Sequence, residues 1–143
     1  MNIGAAGTFV VRKRISRAKL RAEVTRRLPF EAHVVMCSGN DILGLAARNP
    51  FAGQPSGPAI LQFVSVLAKR SRASFKVPLH VPSDGEWCVR VLARQDRFVI
   101  GLCRRQMKAI GYLGQFEKLF GVPATTRSWS TILTIARALK NAS

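Results

Sequence analysis

The residues best suited to chemistry lie at positions 121–132, which read Gly-Val-Pro-Ala-Thr-Thr-Arg-Ser-Trp-Ser-Thr-Ile. This pattern predicts a hydroxyl-rich loop that leads into an apolar helix. A helix N-terminus carries unpaired backbone N–H groups and a partial positive charge, so it binds anions readily. Arg127 adds a guanidinium suited to phosphate or carboxylate, and Trp129 offers a ring on which a base could stack. The candidate anion-binding residues at this junction are Thr125, Thr126, Arg127, Ser128 and Trp129.

The same residues have a purely structural interpretation. Ser128 or Thr126 would cap the helix, because side-chain oxygens at this position accept from the first backbone N–H groups. Trp129 would pack in the core. Arg127 would bond a backbone carbonyl or Glu117. The sequence leaves both interpretations open.

Net charge is the second strong signal, because 23 Lys and Arg residues against 7 Asp and Glu residues give +16 at neutral pH. Such charge favours a nucleic acid, an anionic membrane or an acidic partner through long-range attraction. It is concentrated between positions 12 and 27, where eight basic residues are opposed only by Glu23. The candidate nucleic-acid contacts are Arg17, Arg21, Arg26, Arg104, Arg105 and Lys108. The alternative is a solvated basic face that reflects composition alone.

No catalytic, metal-binding or cofactor-binding constellation can be assembled from the sequence. The seven acidic residues are scattered, and Cys37, Cys88 and Cys103 show no C-x-x-C spacing. His33 and His80 lie in separate segments, and each is interpreted as a structural or surface histidine and not as a metal ligand. We therefore expect no catalytic residues, no metal and no cofactor, and a reducing compartment such as the cytoplasm. An enzyme acting on a small anionic substrate stays open as an alternative.

A membrane-spanning segment is not expected. The longest apolar stretch, residues 59–68, is interrupted by Gln62 and Ser65 and is too short to cross a bilayer. No signal peptide is predicted, because the basic residues at 12–14 follow the apolar start instead of preceding it.

Hydrophobic periodicity and turn signals predict short helices and strands along the whole chain. The predicted strands are 8–13, 33–37, 60–67, 86–93 and 98–103. The predicted helices are 16–28, a helix from a cap at Ser38 or Asp41 to Arg48, 112–120 and 129–139. The buried faces of the last two are assigned to Phe116, Leu119 and Phe120, and to Ile132, Ile135, Ala136 and Leu139.

Two further features organise these elements. The turn-rich segment 51–58 predicts a boundary between an α+β subdomain at 1–50 and a second α+β subdomain at 51–143. Strands 86–93 and 98–103 would form a hairpin around Gln95 and Asp96. That hairpin would place Cys88 and Cys103 opposite each other as reduced thiols.

Several of these segments resemble an uncharacterised bacterial family catalogued as domain of unknown function 1697. Residues 124–131, Ala-Thr-Thr-Arg-Ser-Trp-Ser-Thr, are similar to its Ala-Thr-Thr-Arg-Asn-Trp-Asn-Thr signature. Residues 48–51 resemble its Asn-Pro-Phe corner, residues 7–11 resemble a strand entry, and residues 16–28 match the helix after it. The resemblance implies two linked α+β subdomains, of which the first is similar to a ferredoxin-like unit.

Two departures from that family limit the resemblance. The basic stretch after the hairpin is replaced by residues 104–111, so its role cannot be carried over. The family's opening strand and helix are also missing, and in a ferredoxin-like sheet that strand lies in the middle. Strands 8–13 and 33–37 would then keep unpaired edges, which favours self-association or a strand encoded upstream.

These observations lead to one fold prediction and one function prediction. The fold is α+β, with an N-terminally incomplete ferredoxin-like subdomain followed by an antiparallel sheet subdomain with two C-terminal helices. The function is non-enzymatic binding of nucleic acid or another polyanion through a basic surface. A degenerate or structural protein-interaction module is the main alternative.

Overall fold

A five-stranded antiparallel sheet forms the centre of the protein in the computed structural model, which describes residues 2–3, 7–11, 14–28, 34–72 and 75–141. The strands are β1 (Asn2–Ile3), β2 (Thr8–Phe9), β3 (Ile60–Leu67), β4 (Leu79–Val81), β5 (Val89–Gln95), β6 (Phe98–Arg104) and β7 (Ala124–Ser128). The helices are α1 (Arg17–Arg27), α2 (Gly39–Arg48), α3 (Met107–Lys118) and α4 (Trp129–Asn141). The predicted α+β class is confirmed.

The order of the central sheet is β4-β5-β6-β3-β7, and every neighbouring pair is antiparallel. β3 lies between β6 and β7, and its last five residues are at 5% exposure or less. A mainly apolar sequence, in which only Gln62 and Ser65 are polar, is typical of a strand covered on both faces. The strand predicted at 60–67 is therefore confirmed at both ends.

Helices cover both faces of this sheet. On one face, Val64 and Val66 of β3 pack with Ile42 of α2 and with Trp129 and Ile132 of α4. On the other face, Phe63 packs with Ala109 of α3. Because successive side chains of a strand point to opposite faces, β3 contributes to both layers. The division at residue 50 stays a prediction, although α2 and α4 share one hydrophobic cluster.

Gly101 of β6 lies directly opposite Phe63 of β3. A Cβ atom at this position would lie 2.6 Å from Phe63 Cζ and 2.8 Å from the backbone oxygen of Arg90. Both distances are shorter than van der Waals contact allows, so the largest buried side chain of β3 fits only against a glycine.

The N-terminal part matches the sequence prediction at α1 and differs from it in the strands. Ser16 caps α1 by accepting a hydrogen bond from the Lys19 amide at 3.2 Å, and Leu28, the predicted last residue, is the C-cap that follows Arg27. β2 spans only Thr8–Phe9 and pairs with β1; residues 12–13 and 33 lie outside the described part of the chain.

No strand is present at 34–37, so the strand predicted at 33–37 is wrong in its described part. The physical reason is an alternative pairing of its carbonyl groups. Arg21 donates to the Val34 oxygen at 2.8 Å, and Arg97 donates to the Met36 oxygen at 2.6 Å. A ferredoxin-like arrangement of the first subdomain is not confirmed.

The C-terminal part needs three corrections. Residues 124–128 form a strand and not the predicted loop, because they pair with β3 along their whole length. α3 begins at Met107, five residues before the predicted start, and Leu119 is 49% exposed although it was assigned to the buried face. Phe120 is buried as predicted, and the side chain of Phe116 lies outside the described part.

The hairpin of β5 and β6 is confirmed, but its register is different. The loop is formed by Asp96 and Arg97, and a bulge interrupts β5 between Val91 and Ala93. The position of the loop and the bulge together place Val89, and not Cys88, opposite Cys103. Both thiols are free and lie in one buried cluster.

We predict that Gly101→Ala lowers the free energy of unfolding by about 1–3 kcal/mol, because overpacking a tight core forces neighbouring atoms to shift. Gly111→Ala is the matched control. Gly111 lies on α3, and a Cβ atom at this position meets nothing within 4 Å. It should raise stability by about 0.5–1 kcal/mol. Urea titration measures both, and equal effects of the two variants would contradict the packing described for Phe63.

Candidate functional site

Arg127 lies on β7, at one edge of the central sheet, opposite Val64 of β3. Its Nε donates to the Thr8 hydroxyl at 2.8 Å, and its Nη1 donates to the Thr125 hydroxyl at 2.6 Å. Nη1 also donates to the Thr126 backbone oxygen at 2.9 Å. The guanidinium therefore ties the N-terminal β2 strand to the edge of the sheet.

Thr126 and Glu117 lie on the opposite face of the sheet. The Thr126 hydroxyl donates to Glu117 Oε1 at 2.9 Å and lies 2.7 Å from the Ser65 hydroxyl. Strand alternation separates it from Thr125 and Arg127. The predicted cluster of hydroxyls around Arg127 is thus divided between two faces, and Glu117 bonds Thr126 instead of Arg127.

Ser128 and Trp129 take the structural roles that the sequence left open. Ser128 Oγ accepts from the Thr131 amide at 3.2 Å and so caps α4. Trp129 is 8% exposed, and its ring lies 5.2 Å from that of Phe51. Trp129 therefore packs in the core, and its suggested role in stacking on a base stays a prediction.

A cavity of about 550 Å³ lies beside Arg127. Leu20 and Val24 of α1 and Ile135 of α4 are among the aliphatic residues that line it. Thr8, Thr125 and Arg127 contribute its polar part. The cavity places Arg127 and the apolar stripe of α1 on the same side of the molecule.

Cys37 also lines this cavity, as a free thiol that is partly buried. Burial raises the pKa of its thiol to about 11, and the nearby Arg97 only partly opposes this effect. Burial likewise raises the pKa of Cys103. Across the described part of the chain, no group of three or more His, Cys, Asp or Glu side chains is placed to hold a metal ion.

α1 carries the most concentrated charge. It contains five basic residues against the single acid Glu23, and none of its residues is buried. Arg26 and Arg27 both bond Glu23, at 2.7 and 2.8 Å, yet their side chains stay 70% and 75% exposed. The bond from Arg26 is the main cause that lowers the pKa of Glu23. Arg17, Arg21 and Arg26 therefore lie on one exposed cationic helix.

Arg104 makes several contacts within the protein that the sequence did not predict. Its guanidinium stacks at 4.2 Å from the centre of the Trp87 ring, and its Nε donates to the Trp87 oxygen at 2.6 Å. It also pairs with Glu86 at 3.2 Å. The Arg90 guanidinium lies 4.4 Å from the same ring. Arg105 and Lys108, by contrast, are exposed.

Sequence reasoning missed the stack formed by Trp87, Arg90 and Arg104. Arg90 and Arg104 belong to neighbouring strands whose facing positions depend on a bulge at Leu92. The only sequence signal was the predicted hairpin itself, which fixed the pairing of the strands but not their register.

No family model, no curated protein and no solved structure matches this chain. The resemblance to domain of unknown function 1697 therefore stays a prediction. Within the described residues, no helix combines the length and apolarity that crossing a bilayer requires.

We predict that alkylation of Cys37 in the folded protein keeps accelerating from pH 7 to pH 10 without levelling. The thiol ionises only near its pKa of about 11, whereas an unperturbed cysteine with a pKa of 9.0 approaches its plateau in this range. Mass mapping of iodoacetamide-labelled peptides measures the rate, with urea-unfolded protein as the control. Identical profiles in the two states would contradict the burial of this thiol.

Proposed function

We propose that this protein binds nucleic acid without sequence preference, through the cationic surface of α1. The observation that carries the proposal is the composition and exposure of this helix, with five basic residues, one acid and no buried residue. Phosphates neutralised by such residues release their condensed counterions, and this release drives association. The net charge of +16 adds long-range attraction.

The position of α1 supports the same proposal. Ser16 fixes its start, and the bond from Arg21 to the Val34 oxygen connects it to the segment before α2. Its basic side chains are thus presented by an ordered helix. The basic side chains of this helix are exposed. They can contact a phosphate backbone without the free-energy cost of burying a charge away from water.

The other candidate contacts, Arg104, Arg105 and Lys108, are less suited to this role. Arg104 stacks on Trp87 and pairs with Glu86, so its donors are largely used within the protein. Arg105 and Lys108 are exposed and extend the positive surface, but they are two residues against five on α1. We therefore assign the main contact to α1.

The test is fluorescence anisotropy with a duplex oligonucleotide over a series of salt concentrations. We predict a linear fall of log affinity with log salt concentration, because each neutralised phosphate contributes about −0.9 to the slope. Replacing Arg17, Arg21 and Arg26 together by Gln should make the slope shallower by about 0.9 for each phosphate that the variant no longer neutralises. Oligonucleotides of scrambled sequence should bind equally well.

The matched control replaces Lys118, Arg137 and Lys140, three exposed residues of α3 and α4, by Gln. It removes the same charge from the protein but leaves α1 intact, so its salt slope should stay close to that of the wild type. Equal reductions of the slope in the two triple variants would place the binding elsewhere. Absence of binding at low salt would refute the function itself.

A further inference from the structure

The outer side of α3 is apolar where a surface helix is normally polar. Met107, the first residue of α3, is 89% exposed, and Ile110 is 69% exposed. Residues three positions apart lie on the same side of a helix, so these two side chains are neighbours. The inner side of α3 is already covered, because Ala109 packs against Phe63 of the central sheet. Met107 and Ile110 therefore project into solvent without contributing to the core.

Positive charge surrounds this apolar side. Arg105 and Lys108 flank Met107 and are exposed, and neither forms an ion pair within the described part of the chain. Lys118 is exposed in the last turn of the same helix. The single acid of α3 is Glu117, whose carboxylate accepts a hydrogen bond from the Thr126 hydroxyl at 2.9 Å. An occupant of this surface thus meets apolar side chains bordered by cations.

Exposed apolar side chains beside cations are typical of helices that lie at the surface of an anionic bilayer. The apolar side chains enter the boundary between head groups and acyl chains, and the cations contact the anionic head groups. A fluid bilayer accepts a projecting side chain without a matching pocket. The charge of this surface is therefore complementary to anionic lipid, and its shape requires no preformed partner.

Two other partners fit this surface less well. A stable protein interface covers about 800 Å² on each partner, and two aliphatic side chains supply only a small part of that area. A second copy of this chain is opposed by charge, because each copy carries +16.

We propose that α3 binds the surface of a bilayer that contains anionic phospholipids. Met107 and Ile110 insert below the head groups, and Arg105 and Lys108 contact the lipid phosphates. The proposal does not rest on nucleic-acid binding by α1 and uses a different side of the molecule. α1 shares a cavity with α4, which covers one face of the central sheet, whereas α3 covers the other face.

Co-sedimentation of the full chain with vesicles tests the role of charge. The protein should bind vesicles made of equal parts of phosphatidylcholine and phosphatidylglycerol, and bind pure phosphatidylcholine much more weakly. Replacing Arg105 and Lys108 by Gln should weaken binding about fivefold per residue, the effect of one cation near an anionic surface. The matched control replaces Arg137 and Lys140 of α4 by Gln and should have a clearly smaller effect. Absence of binding to the anionic vesicles would overturn the proposal.

Apolar substitutions test insertion. Met107→Gln combined with Ile110→Gln should weaken vesicle binding at least about tenfold, because burying even one such side chain is worth about that factor. Leu133→Gln is the control, since Leu133 is an exposed aliphatic residue of α4 on the other side of the sheet. Circular dichroism establishes that each variant is folded. Equal binding by the double variant and the wild type would overturn the proposal, because it would reduce the contact to charge alone.

Fluorescence locates the inserted residue. Met107→Trp should add emission that lipids with brominated acyl chains quench, after subtraction of the wild-type signal, whereas Leu133→Trp should add emission that they do not quench. The Met107→Gln, Ile110→Gln variant should keep the oligonucleotide affinity of the wild type. Loss of that affinity without any change in vesicle binding would assign this surface to nucleic acid and overturn the proposal.

Discussion

The pairing of β7 with β3 is the interaction on which the rest of the structure depends. β3 is hydrogen-bonded on both sides and buried on both faces, so it fixes the position of every strand added to it. Once β7 pairs with it, alternation sends Thr125 and Arg127 to one face and Thr126 to the other. The same pairing places Ser128 at the start of α4, where it caps the helix. The location of Arg127 at the cavity therefore follows from a backbone register.

Arginine side chains take the place of a backbone ladder in the N-terminal part. Arg21 and Arg97 donate to the carbonyl groups of Val34 and Met36, and Arg127 donates to the hydroxyl of Thr8. Arg97 also donates to the Leu67 oxygen at 2.8 Å, so it connects the end of β3 to the segment before α2. Part of the high positive charge is thus structural. The charge on α1 differs, because most of its basic side chains stay exposed and only Glu23 opposes them within the helix.

The sequence predicted the elements whose signals are local. Hydrophobic periodicity and turn signals marked α1, the mainly apolar stretch at 60–67 marked β3, and the apolar spacing of α4 marked its buried face. β7 was missed because a short run of Thr, Arg and Ser reads as a loop unless its pairing with a buried neighbour is known. The register of Cys88 and Cys103 was missed because it depends on a bulge that leaves no signal in the sequence.

The candidate site was predictable only in part, because it depends on contacts between residues that are far apart in the sequence. Arg127 was singled out by its residue type and position, but its partner Thr8 is more than one hundred positions away in the chain. The cavity requires α1, α4 and β7 to be placed together, and only tertiary packing does this. In contrast, the cationic surface of α1 depends on a single helix, and it was visible from charge and periodicity alone.

Hydrogen exchange followed by NMR at residues 124–128 tests the pairing of β7 most directly. The Ala68 amide donates to the Pro123 oxygen at 2.8 Å, and antiparallel alternation from this bond directs the amides of Thr125 and Arg127 toward β3. These two amides should exchange only through global unfolding, whereas the Thr126 amide on the outer edge should exchange much faster. Rapid exchange at all three positions would contradict the pairing, and with it the placement of Arg127 at the cavity.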